Sequence, residues 1–352
     1  MADAGAFHGG AFWEALGPSF PTGFSASSVI NADVLDAWFP PAPGVVEILR
    51  AEAEWLARTS PPTHAEELRE TIARVRGLPK ASVLTGSGSS DLIYRLLPRW
   101  LGKSSRVLLP EPCYGEYAHL IERVIGAVVD RVPCLDRLNL ADWQKRLREG
   151  GYDLAVLVNP NNPTGETIER RAIYEAASGR TRLLVDEAYM DYVSPSRSVE
   201  REAAVLPNLV VIKSLSKGLA LSGCRVAYAV GSDLESFRCW TPPWNVSSFA
   251  QVAAIRAMAD PDYCEARYCE THSLRQELAG ELVKDGREVR EGVNWILVRV
   301  PDAEAMVLQT AEKGLYLRNV GRTARSLGNE WVRIAVKDPE TQARMLEIFR
   351  SV

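Results

Sequence analysis

Four segments hold residues whose types and spacing could do chemistry. In LVVIKSLSKGLALSGCRVAYAV (209–230), Lys217 lies just past an apolar run, with Ser214 and Ser216 before it and Arg225 eight residues on. A lysine in a dry cleft loses basicity and can form a Schiff base with a carbonyl, although a lone lysine is more often a solvated surface charge. In LLVDEAYMDY (183–192), Asp186 ends a second apolar run. A carboxylate is costly to bury there unless paired, so it either caps the next turn or holds a cationic ring nitrogen. In VNPNNPTGE (158–166), a dense set of amides follows a third run. It reads as a Pro/Asn turn or as a source of donors for a ligand oxygen. In TGSGSSDLIYRLL (85–97), a glycine-rich turn opens a helical stretch. Such a turn can present backbone N–H groups to a phosphate, or simply join a strand to a helix. A dinucleotide fingerprint needs a third glycine where Asp91 stands, which counts against a nicotinamide enzyme.

These residues need a frame that brings them together. The apolar runs RVLLP (106–110), AVVDRVP (127–133), DLAVLVNP (153–160), TRLLVDE (181–187), LVVIKS (209–214) and RVAYAV (225–230) alternate with helical stretches. That alternation predicts an α/β domain with a mostly parallel sheet covered by helices on both faces. Such a sheet collects ligands at the carboxyl ends of its strands, where the polar signals at 159–165, 186–189 and 214–217 lie. After Trp240 the pattern changes. One long helix is expected over 249–284, then a strand at 294–300, a helix near 302–313, a short strand LYLRNV (315–320), a strand at 331–336 and a final helix. The expected division is an N-terminal arm over 1–40, a large domain over 41–240 and a small α+β domain with its linking helix over 241–352.

Composition narrows the classes of function. The 352 residues have a net charge of −4, 46% hydrophobic and 24% charged residues, ordinary for a globular protein and unlike a nucleic-acid binder. No apolar run approaches the ~20 residues of a membrane span, and the N-terminus lacks the features of a signal peptide. The six cysteines have neither CxxC spacing nor a secreted framework, so reduced thiols in the cytoplasm and no metal site are expected.

Taken together, NPNNPTG, DEAY and SLSK followed by Gly223, Arg225 and Tyr228 resemble, in order and spacing, the class I/II motifs of the fold-type-I, aspartate-aminotransferase-like superfamily of pyridoxal-phosphate (PLP) enzymes. The resemblance spans nearly the whole chain. Within the superfamily, HGG (8–10), FSAS (24–27), PPWNVSSFA (242–250) and VNWILVRV (293–300) resemble threonine-phosphate decarboxylases most and histidinol-phosphate aminotransferases next. The resemblance implies PLP on Lys217, with Asp186 at the pyridinium nitrogen and Asn162 and Tyr189 at the phenolic oxygen. It also implies a phosphate cradle of Ser89, Ser90, Ser214, Ser216 and Arg225, with Tyr114 stacked on the ring. Lys217, Asp186 and Tyr189 would be catalytic. Arg333 would grip a substrate α-carboxylate, Arg318 a second anionic group, and His8 and Ser27 would face the substrate. Ser27, Lys337 and the loop 322–330 depart from the decarboxylase pattern, in which Asn and Arg stand at the first two positions. A homodimer acting at Cα of a small, anionic amino acid is implied, as decarboxylase or transaminase. Elimination or replacement at a side-chain leaving group, or a non-catalytic protein on this fold, is the alternative; an intact Lys217 argues against the last.

Overall fold

Between residues 83 and 230 the apolar runs show no regular polar interruption, the pattern of strands buried on both faces. The computed structural model describes residues 10–16, 29–134, 139–322 and 325–352, and in it these runs are the strands of one sheet. A short first strand, β1 (Ile30–Asn31), precedes β2 (Val83–Gly86), β3 (Arg106–Glu111), β4 (Val128–Pro133), β5 (Leu154–Val158), β6 (Arg182–Asp186), β7 (Leu209–Ser214) and β8 (Ala227–Val230). The seven strands from β2 to β8 lie in the order β2-β8-β7-β6-β5-β3-β4. Neighbours from β7 to β4 are parallel, and β8 alone runs against both β7 and β2.

Successive residues of each strand enter opposite cores. Leu108, Leu157, Val185 and Val211 pack on one face of the sheet. Leu109, Val156, Leu184 and Ile212 pack on the other. The helix Ser89–Trp100 lays Leu92, Ile93, Leu96 and Leu97 into the second core. Burying those four side chains favours its seat by roughly 6–12 kcal/mol before entropy is counted. That seat aims the helix start, and its free N–H groups, at the edge where the parallel strands end.

The C-terminal layer holds β9 (Val289–Glu291), β10 (Trp295–Arg299), β11 (Leu315–Tyr316), β12 (Arg318–Asn319) and β13 (Trp331–Ala335). Its antiparallel sheet has the order β12-β13-β10-β9, while β11 pairs in parallel with β1. Ile30, Ala32, Leu35 and Phe39 share a core with Trp295, Leu315, Ile334 and Phe349, so this part of the N-terminal stretch is built into the C-terminal layer.

Two expected elements are divided. The helix expected over 249–284 is two helices, Ser248–Ala257 and Pro261–Lys284. Pro261 has no N–H to continue the first helix and disfavours helical backbone at Asp260, whose side chain instead caps the second by accepting from the Tyr263 N–H. The strand expected over 315–320 breaks at Leu317, because its halves have different partners. All six cysteines are free. Among the described residues no helix is long and apolar enough to cross a membrane.

Candidate active site

Six strands of the central sheet end at one edge, and reversed β8 begins there. Arg225, just before β8, therefore arrives beside Ser214 at the end of β7 and Gly86 at the end of β2. Together with the C-terminal layer this edge encloses a cavity of about 400 Å³, within the range of small-molecule sites. Ser89, Ser90, Tyr114, Asn162, Asp186, Tyr189, Ser214, Ser216, Lys217, Arg225, Arg318 and Arg333 all line it. His8 and Ser27 lie outside the described residues.

Asp186 is the last residue of β6 and is buried. Its Oδ2 accepts from the Tyr117 hydroxyl at 2.8 Å and its Oδ1 from the Ala188 N–H at 3.0 Å. No cation forms an ion pair with it among the described residues. Burial pushes its carboxyl up to about 6, against the bonds from Tyr117 and Ala188. Tyr117 was not singled out in the sequence, although it stands three residues past Tyr114 in EPCYGEY and its ring meets that of Tyr114 edge-on at 6.1 Å.

Lys217 lies in a single helical turn, Leu215–Gly218, pinned from behind. The Tyr192 hydroxyl donates to the Lys217 carbonyl and the Tyr268 hydroxyl to the Gly218 carbonyl, each at 3.0 Å. Its Nζ donates to Asp36 Oδ1 at 3.3 Å. Burial lowers the lysine's pKa, Asp36 opposes this, and Arg225 and Arg333 add to the lowering. Asp36 is itself held below the usual carboxylate range: burial works against this, and the charge of Lys217 overcomes it. The sequence reading gave Asp36 no role; its signal is an acid in the otherwise apolar run VLDAWF (34–39).

Arg225 has φ of 57°, a left-handed conformation that costs an arginine about 1–2 kcal/mol. It turns the guanidinium toward Gly88, whose own φ is +88° and where an added Cβ would lie 2.7 Å from Arg225 Nη2. The start of the helix Ser89–Trp100 stands beside it. The Ser90 hydroxyl donates to buried Glu116 at 2.9 Å, which leaves the backbone as Ser90's donor toward the cavity. The Ser216 hydroxyl donates to the Val226 carbonyl at 3.3 Å.

The opposite wall comes from the C-terminal layer. Arg333, in β13, donates from Nη1 to Asn162 Oδ1 at 2.7 Å and from Nη2 to the Asp33 carbonyl at 3.0 Å. Its Nε has no hydrogen-bond partner and its charge no ion pair among the described residues. Burial, and then nearby Arg318, lowers it to about 10. Arg318 is different: its Nε sits 2.8 Å from Asp33 Oδ1. Tyr189 is buried edge-on against Trp295 at 5.0 Å, and the indole N–H of Trp295 reaches the Pro163 carbonyl at 2.8 Å. These contacts tie the amide-rich loop to the second layer.

The arrangement fits PLP on its own physical terms. Asp186 is a buried carboxylate without an ion-paired cation among the described residues, matched to a protonated ring nitrogen. Gly88 and Arg225, next to a helix start, form a basic recess from which a Cβ is excluded, matched to a phosphate. Lys217, with lowered basicity, faces the same space.

Residues 36–349 match the family described as aminotransferase class I and II. The histidinol-phosphate aminotransferase of Desulfitobacterium hafniense is 30% identical over 344 residues, 93% of each chain. Among solved structures, the histidinol-phosphate aminotransferase from Sinorhizobium meliloti in complex with pyridoxal-5'-phosphate superposes with a TM-score of 0.81 at 21% identity, covering 91% of this chain and 90% of that one. The L-threonine-O-3-phosphate decarboxylase from Porphyromonas gingivalis gives 0.78 at 20% identity, covering 92% and 99%. The chain belongs to the aminotransferase class I and II family, and it is a PLP-dependent enzyme of fold type I.

Proposed function

We propose that the enzyme acts at Cα of a small amino acid, by transamination or decarboxylation, with Arg333 holding the α-carboxylate. One observation supports this most: Arg333 is a buried guanidinium without an ion pair among the described residues, on the wall of the cavity that Lys217 lines. A buried cation is costly unless an anion completes it, and a planar fork suits a carboxylate.

Bound PLP supplies an electron sink for the reacting carbon. The chain's residues do the rest. Asp186 would keep the ring nitrogen protonated. Arg225 and the start of the helix at Ser89 would hold the phosphate, with Ser214 and Ser216 beside them. Asn162 and Tyr189 would border the phenolic oxygen, and Tyr114 would cover a ring face. Lys217 Nζ would anchor the cofactor's carbonyl carbon and, once released by the incoming amine, move a proton at the substrate Cα. Asp36 accepts from that nitrogen and would steady it between these tasks. A cytoplasmic homodimer, the state implied by the resemblance, belongs to the same reading.

The test is product analysis by mass over a panel of amino acids, phosphorylated amino acids and histidinol phosphate, an amine with a phosphate ester and no carboxylate. Loss of carbon dioxide, exchange of the amine or loss of a side-chain group assigns the reaction. Arg333→Lys keeps the charge but loses the fork, so kcat/KM should fall about 10- to 150-fold for every carboxylate substrate, the equivalent of about 1.5–3 kcal/mol. Turnover of histidinol phosphate alone would contradict the α-carboxylate assignment.

A further inference from the structure

Asp33 had no role in the sequence reading, and strand register places it beside Arg318. In the parallel pair β1–β11, Ile30 is opposite Leu315 and Asn31 opposite Tyr316. The Ala32 N–H continues the ladder onto the Tyr316 carbonyl at 2.9 Å. The same register, carried past the strand ends, sets Asp33 opposite Arg318. The side chains meet there with 6% and 9% of their surfaces exposed. On its other side Arg318 is opposite Arg333 in the antiparallel pair β12–β13. Three charges thus cross the second layer in a row: a carboxylate, a guanidinium it neutralises, and a guanidinium without an ion pair among the described residues. Asp33 is fixed further by the Gly10 N–H, which donates to its Oδ2 at 3.0 Å.

The row decides what the distal end of the site will accept. A substrate side chain ending in an anion would approach Arg318 with the Asp33 carboxylate already on it. Displacing Asp33 would strand a buried carboxylate. Sharing Arg318 would set two anions together in a poorly hydrated wall. The one charge left for a substrate anion in this row is that of Arg333.

We infer that Asp33 is a specificity-determining residue: by occupying Arg318 it makes the enzyme select amino acids whose single anion is the α-carboxylate, with uncharged or cationic side chains, over those ending in carboxylate or phosphate. The inference rests on the reading of Arg333 as the α-carboxylate anchor. A purely structural Asp33, easing the repulsion between Arg318 and Arg333, would weaken all substrates alike.

The test compares the holoenzyme with Asp33→Asn on matched pairs, L-glutamine with L-glutamate and L-threonine with O-phospho-L-threonine. Dissociation constants are read from the absorbance change of bound PLP, and kcat/KM wherever turnover occurs. The unmodified enzyme should favour the neutral member of each pair at least tenfold, and Asp33→Asn should move that ratio at least tenfold toward the anionic member. An unchanged ratio, including equal losses on both members, overturns the inference. If Asp33→Asn does not fold, Arg318→Gln serves instead. It leaves the Asp33 carboxylate alone and should widen the neutral preference at least tenfold; an unchanged or reversed ratio overturns the inference. Failure of the Arg333 reading looks different: Arg333→Lys would then leave both members of each pair unaffected, whatever their ratio.

Discussion

At the scale of the residue, the site depends on charges left incomplete. Asp186 is the clearest case, a carboxylate held by a tyrosine hydroxyl and a backbone N–H but, among the described residues, paired with no cation. Asp186→Asn is nearly isosteric and keeps the fold. It should lower activity at least ~10²-fold, by analogy with removal of one electrostatic stabiliser, because a neutral amide cannot hold the ring nitrogen's charge. Steady-state rates at saturating PLP measure this, and near-normal turnover would reduce Asp186 to a cap. The raised pKa also predicts a pH dependence for PLP-free protein. The folded state binds the Asp186 proton more tightly than the unfolded chain does, about 6 against 3.8. The resulting stability is complete below about pH 4 and is lost as pH rises through about 6. Melting temperatures of the PLP-free protein and its Asp186→Asn variant, compared from pH 4 to 7, should therefore separate in the variant's favour as pH rises. Parallel curves would refute the shift. Asp36 makes the opposite kind of contribution, since its charge favours the protonated form of Lys217 against burial. Asp36→Asn should lower the lysine's pKa further, and each unit of lowering gives about tenfold more neutral amine. PLP should then attach faster to PLP-free protein at pH 7, followed by visible absorbance; an unchanged or slower rate contradicts the role.

At the scale of the element, reversal of β8 is what brings Arg225 to the edge where the other strands end. Gly88 and left-handed Arg225 then fit against each other closely enough to make a sensitive test. Gly88→Ala strains a backbone at φ +88° and sets a Cβ 2.7 Å from Arg225 Nη2. It should weaken PLP binding at least tenfold in an equilibrium titration while leaving most of the fold intact, since Gly88 lies outside the cores. The runs that became β3 and β5 to β8 were legible in the sequence because a strand buried on both faces must be mostly apolar, whereas β4, at the sheet's edge, is largely exposed and carries Asp130 and Arg131. The motif residues at their ends were legible because a polar group there needs a reason. What was not legible depends on segments distant in the chain. Tyr117 reaches Asp186 only after β3 and β6 enter one sheet, and Asp33 meets Arg318 only through the register of β1 on β11. The division of LYLRNV at Leu317 has the same origin, since its two halves serve two sheets. Pro261, by contrast, was a local signal for the break in the long helix.

At the scale of the whole molecule, the cavity lies where the central sheet's edge meets the C-terminal layer. The Trp295 bond to the Pro163 carbonyl and the Arg333 bond to Asn162 join the two. PLP would rest against residues of the central sheet, with Arg333 and Arg318 on the opposite wall of the cavity. Binding the folded state alone, it should stabilise the protein by about 2.7 kcal/mol at 100 times its dissociation constant. Denaturant unfolding with and without PLP measures this, and coincident curves would contradict a cofactor site in the folded protein. All of these expectations assume that PLP is attached to Lys217. The most direct test is borohydride reduction of the PLP-replete enzyme followed by peptide mapping. The account requires a pyridoxyl group on the peptide containing Lys217. A label found only on another lysine, such as buried Lys213, or no label at all, would contradict it.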